Sequence, residues 1–248
     1  MRTIYSCGIK INPIPADEVC AIADQWLKDG RKGFQITGIN LEQIALLNRD
    51  KDFECYINSS DIVNIDGIAV SAYLKLKLYR KIERTLCADI LHKMLENANL
   101  RKERVFLLGA KENTIKHLAE NIHSDYPDIN IVGFHSGYFT DEKEIVLEIA
   151  KSNPDYLFIG MPSPFKERFI TTYKDQLNAG ICFGVGGMFD IMAGEVKRAP
   201  VKIQKLGLER FYRVSQDPSG QIKRLRKAIP SCLLVYIKHL LERRKEVI

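Results

Sequence analysis

Apolar positions along the chain fall into two recurring patterns. One returns every three to four residues: Val19, Ile22, Ala23, Trp26 and Leu27 share one face and predict a helix over 16–28. The other is a short continuous run bounded by glycine, such as Val105-Phe-Leu-Leu-Gly109 and Tyr156-Leu-Phe-Ile-Gly160, which predicts strands buried on both faces. Strands are predicted over 34–37, 61–65, 105–109, 129–134, 155–160 and 181–185. Further helices are predicted over 41–48, 67–77, 85–97, 114–124, 142–152 and 166–177.

This alternation implies βαβ units and an α/β, Rossmann-like fold with a mainly parallel, doubly wound sheet. After Pro200 it stops. Residues 201–215 read as helical, Asp217-Pro-Ser-Gly220 as a turn, and 222–228 and 231–246 as two basic helices separated near Pro230. The expected organisation is a catalytic α/β domain over 1–194 and a basic helical C-terminal appendage over 195–248.

Composition adds little to this picture. The 248 residues are 46% hydrophobic and 27% charged, as in an ordinary globular protein. No apolar run approaches the roughly 20 residues that span a bilayer, and no signal peptide is expected at Met1-Arg-Thr-Ile-Tyr-Ser-Cys7. The six cysteines form no C-x-x-C pair and have no histidine cluster beside them, so reduced thiols in the cytoplasm are expected and a zinc site is not. Charge matters more. Residues 1–194 carry 23 Lys/Arg against 26 Asp/Glu, a net of −3, whereas residues 195–248 carry 14 against 5, a net of +9. A basic tail on an acidic body implies an anionic partner.

In doubly wound sheets ligands bind at the carboxyl ends of the strands, here residues 37–40, 66–67, 109–110, 160–164 and 186–187. Asp66 follows the apolar run Ile62-Val-Asn-Ile65, so it reads either as a general base or as a simple helix cap. Gly184-Val-Gly-Gly187 could set backbone N–H groups around a phosphate. It lacks the full G-x-G-x-x-G pattern and the acidic residue expected about 20 positions later in a dinucleotide site. Asp50-Lys-Asp52 resembles the metal-holding D-x-D of many sugar transferases, but it follows a helix end rather than a buried strand and reads as a solvated turn. His135, just past a strand, could line a site. In the tail, Arg213, Lys223, Arg224, Arg226, Lys227 and Lys238 interleave with Leu225, Ile229, Leu233, Leu234 and Ile237. That pattern fits an interfacial amphipathic segment, or a helix packed on its own domain or another subunit. No nucleic-acid-binding module accompanies the charge.

Several of these stretches together resemble the WecG/TagA/CpsF glycosyltransferases over nearly the whole chain. The resemblance is carried by Thr37-Gly-Ile-Asn-Leu-Glu42, Ile65-Asp-Gly67, Glu83-Arg84 followed by Asp89, Phe106-Leu-Leu-Gly-Ala-Lys111, Gly137-Tyr-Phe139 and Gly160-Met-Pro-Ser-Pro-Phe-Lys-Glu167. The longest match runs from Gly184 through Asp190 and Arg198 to Pro200, then through Leu206-Gly-Leu-Glu209 and Phe211-Tyr-Arg213. It implies a metal-independent, inverting transferase without cofactors. The donor would be a UDP-sugar and the acceptor a saccharide on a polyprenyl diphosphate. The enzyme would be cytoplasmic, peripheral on the inner face of the cell membrane, with no nucleic-acid partner; homo-oligomerisation is left open.

The resemblance carries over Thr37, Asn40, Asp66, Arg84 and Glu167, with Asp66 as the base and Thr37 beside it in catalysis. Gly109, Tyr138, Lys166, Gly186, Gly187, Asp190, Arg198, Arg213, Lys223 and Arg224 are the further substrate-binding candidates. Lys166 stands where the family usually has Gln, Ile39 adds a residue between Thr37 and Asn40 relative to some members, and Ser219-Gly220 replaces the usual Trp/Arg pair after Pro218. Lys223 or Arg224 would then replace the missing arginine. The alternative reading is a nucleotide- or NAD-dependent enzyme acting on a soluble metabolite, which leaves the basic tail unexplained.

Overall fold

The computed structural model describes residues 1–78, 82, 84–200, 202–203 and 209–241. The chain opens with a small antiparallel hairpin, β1 (Ile4–Ser6) and β2 (Ile9–Ile11), which sequence patterning does not predict. Its two-residue turn, Cys7-Gly8, has positive φ at both positions (56° and 79°). Turns of that type match the strand twist, but Cys-Gly is not the Asn-Gly pair that usually announces one.

All six predicted strands form: β3 (Phe34–Ile39), β4 (Ile62–Ile65), β5 (Arg104–Gly109), β6 (Asn130–His135), β7 (Tyr156–Gly160) and β8 (Ile181–Gly184). They make one parallel sheet in the order β4-β3-β8-β7-β5-β6. Around it lie α1 (Ala16–Lys28), α2 (Leu41–Leu46), α3 (Phe53–Asn58), α4 (Ile68–Leu78), α5 (Cys87–Arg101), α6 (Glu112–Asp125), α7 (Glu142–Ser152), α8 (Phe165–Tyr173) and the short α9 (Met188–Met192).

Side chains alternate across the sheet, so each strand feeds two cores. Phe34, Ile36, Val105, Leu107, Phe158 and Phe183 pack with residues of α1, α5 and α6. Phe106, Leu108, Leu157, Ile159 and Cys182 pack with residues of α7 and α8 on the other side. At the β4 edge a third cluster joins Ile39, Val63 and Ile65 to the hairpin, to α2, α3 and α4, and to the C-terminal helix.

The appendage departs from expectation. Its described helices are α10 (Glu209–Gln216) and α11 (Pro218–Leu241). Of the predicted 201–215 helix, residues 201 and 204–208 lie outside the described residues. The expected turn at Asp217 is instead a helix start: Asp217 Oδ1 accepts the Gly220 N–H (3.0 Å) and Pro218 takes the first helical position, where a missing N–H costs nothing. The two helices expected on either side of Pro230 are one, with Pro230 inside it. An interior proline costs about 3 kcal/mol. Tertiary packing offsets this, because Ala228, Cys232 and Val235 are buried in the third cluster and the Tyr236 ring stacks on Tyr73 at 3.9 Å and 5°. Arg49, just after α2, reaches the Ser231 hydroxyl (2.8 Å) and the Lys227 carbonyl on either side of the proline. Among the described residues, no helix is long and apolar enough to cross a membrane.

Candidate active site

The strand ends are packed so closely that side chains are excluded. A Cβ at Gly38 would lie 2.2 Å from Cys87 Sγ, and one at Gly160 would lie 2.2 Å from the Phe189 ring. The space above them is a cleft of about 1150 Å³, walled by the turns after β3, β4, β5, β7 and β8 and roofed in part by Glu209 and Arg224 of the appendage.

Asp66 lies in this cleft, one residue past the end of β4. Its backbone N–H and that of Gly67 both donate to the Ile39 carbonyl, at 3.0 and 3.1 Å. Its carboxylate is oriented from α5: Oδ1 accepts the Cys87 N–H at 2.8 Å. Burial, and next the charge of Asp66, push the Cys87 thiol well above the ordinary thiol range, so it stays protonated beside the carboxylate. Asp66 thus accepts the first N–H of α5 while its carboxylate faces the cleft, an arrangement that suits a helix cap and a general base alike.

Elsewhere in the cleft wall, the turn from β7 into α8 carries a buried charged cluster. Lys166 and Glu167 are 4% and 1% exposed and form an ion pair. The Lys166 stem lies over Gly184, where a Cβ would come within 3.0 Å of Cδ and Cε. The lysine therefore depends on a glycine in β8. Glu167 Oε1 also accepts from the Ser163 hydroxyl at 2.7 Å, while Oε2 has no hydrogen-bond partner among the described residues. At the rim, Arg168 pairs with Glu142 and holds that carboxyl below its usual range.

The profile of the Glycosyl transferase WecG/TagA/CpsF family matches residues 4–246. The chain belongs to this family. It is 35% identical over 210 residues to an N-acetylglucosaminyldiphosphoundecaprenol N-acetyl-beta-D-mannosaminyltransferase of Bacillus subtilis (strain 168), covering 85% of this chain and 81% of the relative. Proteins of the same name from Bacillus spizizenii and Staphylococcus aureus (strain MW2) are each 32% identical. The first match covers 85% of this chain and 81% of the relative, the second 65% and 63%. The chain is thus a glycosyltransferase, and the alternative of a nucleotide- or NAD-dependent enzyme acting on a soluble metabolite gives way.

For a WecG/TagA/CpsF enzyme the candidates divide clearly. Asn40, Asp66, Arg84, Tyr138, Lys166, Gly186, Gly187, Asp190 and Arg224 line the one cleft. Asn40 also caps α2, its Oδ1 accepting the Glu42 N–H at 2.8 Å. Thr37 does not line the cleft. It is 1% exposed, pairs in register with Gly184 of β8, and shares a hydrogen bond with the Ser60 hydroxyl at 2.9 Å. Glu167 is likewise behind the wall, and Gly109 serves the backbone: a Cβ there would strike the Gly160 peptide at 2.6 Å. Arg198 pairs with Asp89 at 3.8 Å outside the cleft lining. Lys223 faces a separate shallow groove along α11, with Ile222 and Arg226. Arg213 lies in α10, but its side chain is outside the described positions. His135 bonds the adjacent Ser136 carbonyl and does not line the cleft. Asp50-Lys-Asp52 is the expected local turn, with Asp50 Oδ1 accepting the Asp52 N–H at 3.0 Å before α3.

Residue patterning missed Gln43, Cys87 and Glu195 of the lining. Ser163 falls within a predicted strand-end segment, but Gln43 and Cys87 are unremarkable helix residues in sequence. Only the packing of α2 and α5 against the strand ends brings them in.

Proposed function

We propose that this enzyme transfers a sugar from a UDP-sugar to a saccharide carried on a polyprenyl diphosphate, with inversion, by a single displacement. The carrying observation is Asp66: a carboxylate in the cleft, at the carboxyl end of a sheet strand, held in one orientation by the Cys87 N–H. In this reading the acceptor hydroxyl gives its proton to Asp66 as its oxygen bonds the anomeric carbon. The bond from that carbon to the diphosphate breaks, and its electron pair leaves with UDP. Arg84, Lys166 and Arg224 in the lining, with the N–H groups of the Gly186-Gly187 turn, offset the departing charge. No metal is required by that arrangement, and activity should survive EDTA.

The acceptor reading is supported by the names of the relatives, and the same names favour an N-acetylmannosamine-type sugar within a donor class that also holds uronic acids and other hexoses. Membrane contact is supported by α11. Ile222, Ile229, Leu233 and Ile237, spaced by seven, four and four residues, are 41–53% exposed along one stripe, flanked by exposed Lys223, Arg224, Arg226 and Lys227. The enzyme would sit peripherally on the cytoplasmic face, where anionic lipid attracts the basic residues.

The test is a panel of UDP-sugars against a short-chain polyprenyl-diphosphate sugar. Product is read by mass, and the configuration of the new bond by NMR, with and without EDTA. An inverted product in both conditions is expected. A retained configuration, or loss on chelation restored by Mg²⁺ or Mn²⁺, would overturn the single-displacement, metal-independent scheme.

A further inference from the structure

The two walls of the cleft are joined by one buried amide. Gln43, in the first turn of α2, is 8% exposed. Its Oε1 accepts the Asn40 N–H at 3.1 Å, which fixes the oxygen and turns the nitrogen outward. That Nε2 donates to the Ser163 hydroxyl at 3.0 Å, a contact between residues 120 positions apart. Lys166 Nζ donates to the same hydroxyl oxygen. A hydroxyl has one proton and two lone pairs. With both lone pairs taken, the Ser163 proton points to Glu167 Oε1 at 2.7 Å.

The bonds therefore run in one direction, from the Asn40 amide through Gln43 and Ser163 to the Glu167 carboxylate. The same peptide group reaches the other way, because the carbonyl of the Ile39–Asn40 unit receives the N–H groups of Asp66 and Gly67. Gly67 admits no adjustment there, since a Cβ on it would meet Asn40 Cβ at 2.8 Å.

We propose that Gln43 is a positioning residue for sugar transfer, holding the peptide that carries the Asp66 turn in register with the Ser163–Lys166–Glu167 wall. This rests on Asp66 being the base. Helix capping alone explains only half of the geometry: it uses Oε1 and leaves the bond from Nε2 across the cleft unaccounted for.

The test is a double-mutant cycle in the full chain. Gln43→Glu keeps the acceptor for the Asn40 N–H but removes the donor to Ser163, and Ser163→Ala removes the receiving group. Each should lower kcat about tenfold while leaving donor KM within about threefold, because a small misplacement is felt mainly in the reacting geometry. The double variant should be no slower than the slower single one. Gln43→Glu carries a second readout. Once protonated, the carboxyl introduced by that substitution can donate to Ser163 again; the Glu167 charge favours that protonation and the Lys166 ammonium on the same hydroxyl opposes it. The kcat of this variant relative to wild type should therefore rise as pH falls from about 8 to about 5.5.

Losses that multiply, a flat pH ratio, unchanged kcat in the single variants, or rate losses accounted for by a lower melting temperature would each reduce Gln43 to a cap and overturn the proposal. Asp66→Asn separates the two levels. Full turnover in that variant would sink the base assignment, whereas coupling between Gln43 and Ser163 would still be measured in kcat.

Discussion

The α/β body and the C-terminal helix α11 solve opposite problems with the same kinds of residue. In the body, strand ends meet with no room to spare: the glycines at 38, 109, 160 and 184 each lie where a Cβ would come within 3.0 Å of a neighbour. Its ionic groups near the cleft are held by partners, Asp66 by the Cys87 amide and Lys166 by Glu167 and Ser163. Helix α11 buries Ala228, Cys232 and Val235 on one side and leaves Ile229, Leu233 and Ile237 exposed on the other. Close packing gives the body a fixed geometry, which chemistry needs. An open apolar stripe gives the appendage a second surface, which a folded domain does not need for itself. The appendage also enters the cleft, through Glu209 and Arg224.

This contrast changes how the appendage should be probed. Truncation after Val214 would strip the inner face of α11 from the third core cluster and uncover Tyr73, so lost activity would reflect lost folding. Substitutions on the outer stripe leave that packing intact.

The largest effect expected is on chemistry in the body. Asp66→Asn should lower turnover by about 10²–10⁴, the usual loss for a general base, while UDP affinity stays within a few fold and vesicle binding is unchanged. Near wild-type turnover would remove Asp66 from the mechanism.

The reciprocal experiment is Ile229→Ser, Leu233→Ser and Ile237→Ser together. Partial burial of each side chain in lipid contributes about 1 kcal/mol, so vesicle binding should weaken on the order of 100-fold. Turnover with a soluble acceptor should hold. Wild-type binding should also fall with salt, because each basic residue contributes about 1 kcal/mol near an anionic surface within a Debye length of about 8 Å. Vesicle sedimentation measures both. Unchanged binding in the triple variant would leave the stripe without a membrane role.

A third test compares tolerance. Gly38→Ala should destabilise by about 1–3 kcal/mol, since its methyl group would overlap the Cys87 sulfur. Leu233→Ser on the outer stripe should stay within about 0.5 kcal/mol. Thermal melting reads both, and equal losses would erase the distinction between a packed and an open region.

The smallest effect is on thiol reactivity. Burial pushes Cys20 and Cys182 up to about 12 and Cys232 up to about 11. Cys7 and Cys87 are buried as well, whereas Cys55 is exposed. Brief alkylation of the native enzyme at about pH 8, mapped by peptide mass, should label Cys55 ahead of the other five. Rapid labelling of Cys87 would show that the floor of the cleft is open.

Much of this molecule is legible in the chain alone. Short apolar runs such as Val105-Phe-Leu-Leu and Ile181-Cys-Phe declare strands buried on both faces, because only a sheet covered by helices on each side can hide them. The position of Asp66 after such a run puts it at the open end of the sheet, where the cleft lies, without choosing between base and cap. What sequence leaves undecided depends on contacts between distant segments. The hairpin turn at Cys7-Gly8 is set by backbone angles that its residue types do not advertise. The course of α11 through Pro230 is decided by the core it packs on, which outweighs a local propensity to break. The family resemblance carries Thr37 and Glu167 over as site residues, whereas sidedness on the sheet and the depth of packing put both beneath the cleft wall. The link from Asn40 through Gln43 to Ser163 joins groups 120 residues apart and exists only once α2 and the turn into α8 face each other. Periodicity reports which way a side chain points from its own element. Only the assembled sheet decides what it meets there.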